Sequence, residues 1–259
     1  MKPTINTESP IGVFDSGLGG LTVAADLKKA LPHENILFFG DSARNPYGTK
    51  TMDEVRQYSF EIVEQFRKQN VKAVIIACNT ATSAAAKELR KAFDFDIVGM
   101  EPALKPAAEM KTPSKIAVWA TELTLNQEKF AHLMERFDSN HDIVRVPCPR
   151  LVELVETDRL EDQQAVDAAL KEYLTQSEDA EFIVLGCTHF LFFKDRLKQL
   201  AGDKVQIIDG NAGTVNRLHS LLEQKGLLAP HAKGSLTIDN SQPEKIDLSW
   251  KLYHSLEEK

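Results

Sequence analysis

Short apolar runs alternate with amphipathic segments of helical length over the first hundred residues. The apolar runs are IGVF at 11–14, ILFFG at 36–40, VKAVIIACN at 71–79 and FDIVGM at 95–100. They are continuous and show no alternation with polar residues, which is typical of strands that are covered on both faces. Amphipathic segments between them, such as 52–69, predict helices. The pattern therefore predicts βαβ units around a parallel sheet.

The same pattern begins again near residue 115. It predicts strands at 115–120, 143–146, 181–186 and 205–209, with helices at 126–137, 161–175 and 192–200. Prolines 102, 106 and 113 precede this restart and favour a boundary there. A helix to residue 225, a strand at 235–239 and a helix at 243–257 follow. We predict a first α/β domain of residues 1–103 plus 214–259, and a second of residues 104–213.

The two halves fall into register when they are laid together. IGVFDSG matches IAVWATE, VIIACNT matches IVLGCTH, and IVGMEPA matches IIDGNAG. This register puts Cys78 and Cys187 just past equivalent strands. Open α/β sheets bind ligands at the carboxyl ends of their strands. The shared register predicts two pseudo-symmetric doubly wound domains with mainly parallel sheets. We expect an active-site cleft between them, with both thiols at the cleft.

Composition removes several classes of function. The chain has 259 residues and a net charge of -7, and its basic residues are dispersed, so a broad nucleic-acid footprint is not expected. The stretch MKPTINTESP has no apolar core of a signal peptide, and no apolar run has transmembrane length, so we expect a cytoplasmic protein without a membrane partner. The three cysteines are scattered without the spacing of a metal site, so no metal is expected.

Two of the three cysteines lie where a thiol could be activated. Cys78 stands between a strand and a helix, where Thr80 is placed to cap the helix, and a thiol near a helix N-terminus can have a lowered pKa. Cys187 lies beside Thr188 and His189, and a histidine close to a cysteine can generate a thiolate. A lone cysteine is more often an inert small hydrophobe. The matched pair favours chemistry, whereas Cys148, between two prolines, is interpreted as structural.

Three further segments keep alternative readings. Gly17 and Gly19 of DSGLGG open a dinucleotide-binding frame, but Thr22 occupies its third glycine position, so a tight turn or a display of Asp15 and Ser16 is favoured. The loop DSARNPYG at 41–48 is either plain turn chemistry or a carboxylate-binding loop. Glu153 and Glu156 of LVELVE lie at a predicted helix start and are interpreted as part of a solvated helix face.

These segments together resemble the glutamate racemases of the aspartate/glutamate racemase superfamily. The resemblance runs in order through IGVFDSGLGGLTV, FFGDSARNPYG, IIACNTATS, VGMEPALKPA and VLGCTHF, and it covers essentially the whole chain. It implies an isomerase that moves the α-proton of glutamate without a cofactor, neither pyridoxal phosphate nor metal. It also implies a supply of D-glutamate for bacterial peptidoglycan.

The resemblance also assigns roles to residues. It implies that Cys78 removes the α-proton of D-glutamate and Cys187 that of L-glutamate, with Asp15 and His189 assisting the thiols. By its place in LVELVE, Glu156 would help on the Cys187 side. The implied substrate contacts are Asp15, Ser16, Tyr47, Gly48, Asn79, Thr80, Thr188 and His189. Thr121 and Thr124 are added, although ATELT departs from the family pattern, in which a glycine precedes the second threonine.

Other functions stay open on the sequence. Aspartate or another amino acid could be the substrate on the same scaffold, because the shape of the pocket decides substrate length. A two-lobed small-molecule binding protein with incidental cysteines is a second alternative. A thiol hydrolase that uses Cys187 and His189 alone is a third. Dimers are common among such enzymes, so a homodimer is compatible with this reading.

Overall fold

The structure is a computed structural model that describes residues 5–126, 128–137, 140–230 and 233–258. The first four residues of MKPTINTESP and residue 127 of the predicted helix at 126–137 lie outside the described residues. The chain divides into two compact units, Met1–Met100 with Asn211–Lys259, and Glu101–Gly210. The sequence-predicted boundaries after residues 103 and 213 each lie a few residues further along the chain.

The first unit alternates strands and helices from its beginning. Its first segment contains β1 (Ile11–Asp15), α1 (Leu21–Ala30), β2 (Ile36–Gly40), α2 (Met52–Lys68), β3 (Ala73–Ile76), α3 (Asn79–Ala92) and β4 (Asp96–Gly99). The strands β1 and β3 are buried at every position, as their continuous apolar sequence predicts. Thr51 and Glu54 form a reciprocal capping box that sets the start of α2.

The second unit repeats this alternation. It contains α4 (Leu104–Met110), β5 (Ser114–Ala120), α5 (Glu122–Leu125), α6 (Glu128–Glu135), β6 (His141–Pro147), α7 (Pro149–Glu156), α8 (Gln163–Gln176), β7 (Phe182–Leu185), α9 (Lys194–Ala201) and β8 (Gln206–Asp209). Trp119 on β5 is fully buried, stacks edge-on against Tyr173 and donates its indole N–H to Ser177 at 2.7 Å. The polar end of this large side chain is thereby satisfied inside the core.

The last segment of the chain returns to the first unit. It contains α10 (Asn211–Gln224), β9 (Leu236–Asn240) and α11 (Ile246–Glu257). Strand β9 pairs in parallel with β2, and both α10 and α11 pack on α1. The helix predicted at 243–257 begins with a 3-10 turn over Pro243–Lys245 and becomes α-helical at Ile246.

In the described residues the strands form one sheet in each unit. The orders are β4-β3-β1-β2-β9 and β6-β5-β7-β8, and every pairing between the strands is parallel. Read from the other edge, the second order is β8-β7-β5-β6, which matches β4-β3-β1-β2 strand for strand. The predicted α/β class with parallel sheets is confirmed, and this shared order agrees with the internal register of the sequence.

Candidate active site

Each sheet has a point where the direction of winding reverses. In the first unit the chain passes from β1 to β2 on one side, and then returns to β3 on the other side of β1. In the second unit β6 and β7 lie on opposite sides of β5. Open α/β sheets bind ligands outside the carboxyl ends of strands at such a switch point. In this chain, the residues that follow β1, β3, β5 and β7 are therefore the candidates for chemistry.

Cys78 lies at the switch point of the first unit, directly before α3. Its backbone is extended, with φ -71° and ψ 120°, and its Sγ accepts a hydrogen bond from the Ala81 N–H at 3.4 Å. The thiol is buried, and it faces the helix N-terminus, whose partial positive charge favours a thiolate. The prediction that Thr80 caps α3 is wrong. The helix begins at Asn79, so the sulfur occupies the capping position and Thr80 lies within the first turn.

Asn79, next to this thiol, has an unsatisfied side-chain amide. Asn79 is 4% exposed, and neither its Nδ2 nor its Oδ1 has a hydrogen-bond partner among the described residues. Leaving a buried polar group unpaired costs about 1–3 kcal/mol. Both atoms are therefore available to a ligand that brings an acceptor and a donor to this helix N-terminus.

Asp15 ends the neighbouring strand β1 and is completely buried. Its Oδ1 accepts hydrogen bonds from the Gly17 N–H at 3.0 Å and the Ser16 hydroxyl at 3.5 Å. A Cβ atom on Gly20 would come within 2.5 Å of the Asp15 Cβ. Glycine is thus needed at position 20 for close packing against the Asp15 side chain.

The loop at 41–48 follows β2 and lies next to the β1 turn. The Asn45 side chain donates to the Ser16 carbonyl at 3.1 Å, which joins the two loops. Tyr47 is 1% exposed and packs in the same hydrophobic cluster as Cys78. Burial, followed by the neighbouring Asp41 carboxylate, raises the pKa of the Tyr47 phenol far above its usual value, so the phenol stays protonated. Gly48 follows it in a short 3-10 turn.

Cys187 lies at the switch point of the second unit, where it begins a hydrogen-bonded chain of three side chains. Its Sγ lies 3.6 Å from His189 Nδ1, and His189 Nε2 lies 2.8 Å from Glu156 Oε1. Burial lowers the pKa of His189, but the hydrogen bonds to Cys187 and Glu156 outweigh it and raise this pKa well above 6.5. The imidazolium therefore sits between two groups that can carry negative charge, an arrangement that can hold a thiolate.

Glu156 lies at the end of a helix, not at its start as predicted. It is the last residue of α7, and its side chain is 8% exposed. The solvated-face interpretation of LVELVE is therefore wrong for Glu156. The helix begins at Pro149, earlier than expected, so its C-terminal turn delivers the carboxylate to His189, 33 residues away along the chain.

The remaining predicted contacts also lie at the carboxyl ends of strands. Thr121 follows β5 and caps α5, where its hydroxyl accepts from the Thr124 N–H at 3.3 Å and donates to the Thr124 hydroxyl at 3.0 Å. Thr188 follows Cys187 and is buried. The predicted residues thus form two groups, which are Asp15, Ser16, Tyr47, Gly48, Cys78, Asn79 and Thr80 in the first unit, and Thr121, Thr124, Glu156, Cys187, Thr188 and His189 in the second.

Cys148 differs from the other two cysteines. It is completely buried, and its thiol donates to the Val146 carbonyl at 3.3 Å. Burial, with a smaller contribution from Cys187, raises the pKa of Cys148 far above its usual value. This thiol stays protonated, in agreement with a structural role.

Asp41 and Arg44 belong to the 41–48 loop, but neither is among the catalytic residues or substrate contacts that the sequence predicts. The Tyr47 hydroxyl donates to Asp41 Oδ2 at 2.5 Å, and Arg44 Nε donates to the same oxygen at 2.6 Å. A carboxylate directly after a buried strand is the signal that could have found them.

In the part of the chain that the structure describes, no three His, Cys, Asp or Glu residues are grouped as metal ligands. No described helix is long and apolar enough to cross a membrane.

The fold and the candidate site together consist of two parallel-sheet α/β units, each with a thiol at its switch point, and this arrangement agrees with the family that the chain matches. The chain belongs to the Asp/Glu/Hydantoin racemase family, which it matches over residues 20–218, and it is therefore a racemase, an isomerase. Its relatives narrow this class. A glutamate racemase of Bifidobacterium longum is 50% identical, and the match covers 96% of this chain and 99% of the relative.

Solved structures agree with the sequence relatives. A glutamate racemase isoform from Bacillus anthracis matches with a TM-score of 0.83 at 33% identity and covers 95% of both chains. A glutamate racemase from Francisella tularensis, solved in complex with D-glutamate, matches with a TM-score of 0.81 at 29% identity, covering 96% of this chain and 94% of that one. The resemblance noted in the sequence is confirmed.

Proposed function

We propose that the protein interconverts L- and D-glutamate by proton transfer at the α-carbon, without an added cofactor. The observation that carries this proposal is the equivalent placement of Cys78 and Cys187, each just past the strand at the switch point of its own sheet. The relatives at about half identity are glutamate racemases, and one structural relative holds D-glutamate. These names support glutamate as the substrate.

The proposed reaction needs a base on one face of the α-carbon and an acid on the other. Starting from D-glutamate, the Cys78 thiolate takes the α-proton, so that the Cα–H bond breaks and an S–H bond forms. The Cys187 thiol then releases its proton to the opposite face, which yields L-glutamate and a Cys187 thiolate. The reverse direction exchanges these roles. Thiols suit both roles because their ordinary pKa of about 8.5 makes thiol and thiolate accessible near neutral pH.

Neighbouring groups would support each thiol. The N-terminus of α3 stabilises a Cys78 thiolate, and Asp15 ends the strand beside β3. The His189 imidazolium, oriented by Glu156, stabilises a Cys187 thiolate. The charge that develops on the substrate needs hydrogen-bond donors and acceptors that are already in place. We assign this binding role to Asn79 with Ser16, Thr80 and Thr188, and further substrate contacts to Tyr47, Gly48, Thr121 and Thr124.

An isotope experiment tests the two-thiol assignment. Purified protein is incubated with L-glutamate in heavy water without added cofactor, and optical rotation and α-deuteration are followed for wild type, Cys78→Ser and Cys187→Ser. We expect both variants to lose racemisation by a factor of about 100 or more, since a positioned acid or base contributes on that order. Cys148→Ser, which changes a buried thiol outside the proposed chemistry, is the matched control.

The outcomes separate the alternatives. Loss of activity in Cys187→Ser alone points to chemistry on one thiol and contradicts the proposal. Binding of glutamate without deuteration indicates a binding protein. Faster turnover of aspartate or another amino acid across a substrate panel would keep the two-thiol mechanism and replace the substrate. By the same family relationship, we propose that the product D-glutamate serves peptidoglycan synthesis.

A further inference from the structure

Asp41 stands at the carboxyl end of β2, next to the proposed site but outside its predicted residues. Its carboxylate is completely buried, and Oδ2 accepts from both the Tyr47 hydroxyl at 2.5 Å and Arg44 Nε at 2.6 Å. Hydrogen bonds to an ionised carboxylate are shorter and stronger than bonds between neutral groups. Asp41 therefore holds the Tyr47 side chain firmly from the end of the sheet.

Arg44 is in turn held by helix α2. Its Nη1 donates to Glu61 at 2.6 Å, and its guanidinium lies 4.2 Å from the centre of the Tyr58 ring. Tyr58 also packs against Tyr47, with ring centres 5.8 Å apart. The guanidinium thus lies between two carboxylates, and the charge of Asp41 is compensated although the residue is buried.

A second set of contacts, from the end of strand β9 and the residue after it and from the end of β1, fixes the beginning of the loop. The Ala43 N–H donates to the Ser241 hydroxyl at 2.9 Å, and the Asn240 amide donates to the Ser42 hydroxyl at 3.0 Å. The Asp41 N–H donates to the Asp15 carbonyl at 2.9 Å. These bonds immobilise residues 41–43. The Asp41 side chain links this anchored segment to Tyr47 at the other end of the loop.

Tyr47 is the point where the loop meets the first thiol. It shares a hydrophobic cluster with Cys78, and its backbone begins the 3-10 turn that contains Gly48. Gly48 and Thr49 are more exposed than Tyr47. The position of this turn beside Cys78 therefore depends on how firmly the Tyr47 side chain is anchored.

We propose that Asp41 is a positioning residue, which fixes the Tyr47–Thr49 turn through the Tyr47 hydroxyl so that the turn is already ordered when substrate binds. This inference rests on the proposed function for its consequence in binding, but its structural part does not. A turn that is ordered beforehand loses less conformational entropy on binding. Weakening the anchor therefore weakens substrate binding more than it slows the chemical step.

Hydrogen exchange tests the structural part without any substrate. Asp41→Asn removes the charge at nearly constant size, and Tyr47→Phe removes the hydroxyl while the ring keeps its place in the core. We expect both to speed amide exchange in residues 47–50 by about tenfold or more. Asp53→Asn is the matched control, because Asp53 is an exposed carboxylate near the start of α2 whose partner is Arg56. Unchanged exchange in both test variants overturns the proposal.

Kinetics and binding test the consequence. In the Asp41→Asn and Tyr47→Phe variants we expect the KM for D-glutamate to rise about tenfold, with kcat within about threefold of wild type and the pH profile of kcat unchanged. The double variant should be no worse than the more affected single variant, since both changes break the same hydrogen bond. A fall in kcat at constant KM, a shifted pH profile or additive effects contradicts the positioning role.

Calorimetric titration of D-glutamate, with both Cys78 and Cys187 replaced by serine, separates this proposal from the proposed function. There Asp41→Asn should weaken binding about tenfold although no turnover occurs. Equal affinity with and without Asp41→Asn counts against the proposal. Absent turnover in the wild-type protein contradicts the proposed function, and the exchange result still decides the role of Asp41.

Discussion

Identical side chains in this molecule have different chemistry because their neighbours differ. Cys148 is sealed in apolar surroundings, and burial raises its pKa. Cys187 is nearly as buried, but it contacts His189, whose other nitrogen is bound by Glu156. Desolvation disfavours a lone thiolate, whereas a cation at hydrogen-bond distance favours it. The groups that contact each cysteine therefore distinguish a structural thiol from a candidate catalytic one.

The raised pKa of His189 predicts how stability depends on pH. A group whose pKa is higher in the folded state stabilises that state fully below the unfolded pKa of about 6.5, and this contribution is lost as the pH rises through the folded pKa. We expect His189→Asn to lower the free energy of unfolding most at pH values below 6.5, with the gap to wild type narrowing at alkaline pH. Urea titrations across this range measure the gap.

His132→Asn is the control for that comparison, since His132 is exposed and faces Glu135 on the same helix. Its gap to wild type should stay small at every pH. A His189→Asn gap that widens with increasing pH would show that the imidazole is held neutral, contrary to the geometry.

Single elements of this fold are constrained where a strand turns into a helix. The turn between β1 and α1 brings Gly20 against Asp15 so closely that a side chain does not fit. In contrast, among the described residues, no atom beyond its chain neighbours and the backbone of its own helix lies within 4 Å of a Cβ placed on Gly213 in α10. Gly20, at the N-cap of α1, is therefore constrained by packing, whereas Gly213, within α10, has no such constraint.

Alanine at these two positions gives a paired prediction. Gly20→Ala forces Cβ atoms to 2.5 Å unless the turn shifts, so we expect a loss of about 1–3 kcal/mol in the free energy of unfolding. Gly213→Ala should stabilise by about 0.5–1 kcal/mol, because alanine loses less backbone entropy in a helix than glycine does. Thermal unfolding of the two variants and the wild type measures whether each substitution raises or lowers the free energy of unfolding. A neutral Gly20→Ala would mean that the turn adjusts without strain.

At the scale of the whole chain, the first unit is completed by residues that are distant in sequence. Lys72 is fully buried and forms an ion pair with Glu34 at 2.5 Å. Its Nζ also donates to the carbonyls of Thr7 at 2.6 Å and Leu227 at 2.8 Å. Glu34 accepts from the Ala229 N–H at 2.9 Å. This buried pair joins the beginning of the chain to the segment that returns after the second unit.

Removing one partner of this pair should be costly. Lys72→Met leaves the Glu34 carboxylate buried without its cation, and we expect a loss of about 3–5 kcal/mol in the free energy of unfolding. Lys105→Met removes an exposed cation paired with Glu109, and it should cost less than about 1 kcal/mol. Urea unfolding of both variants provides the comparison. Similar losses in the two would show that the buried pair does not join the segments.

Much of the fold could be predicted because its signals are local. The continuous apolar runs predicted β2 at the observed residues and placed β1, β3, β4 and β5 within a few residues. Errors arose at element ends, where the outcome depends on which atom satisfies a backbone N–H. The sulfur of Cys78 took the capping place expected for Thr80, and α7 began early enough to put Glu156 at its end.

The sequence by itself determined the α/β class, the repetition of one strand-and-helix pattern in two halves, and the two thiols that follow equivalent strands. These features follow from hydrophobic periodicity and from residues adjacent in the chain. Only the tertiary structure decided that Glu156 binds His189, that Asp41 anchors Tyr47, and that Lys72 reaches Leu227. The reason is physical, because a buried polar group bonds whatever packing brings within about 3 Å, and periodicity does not encode that partner.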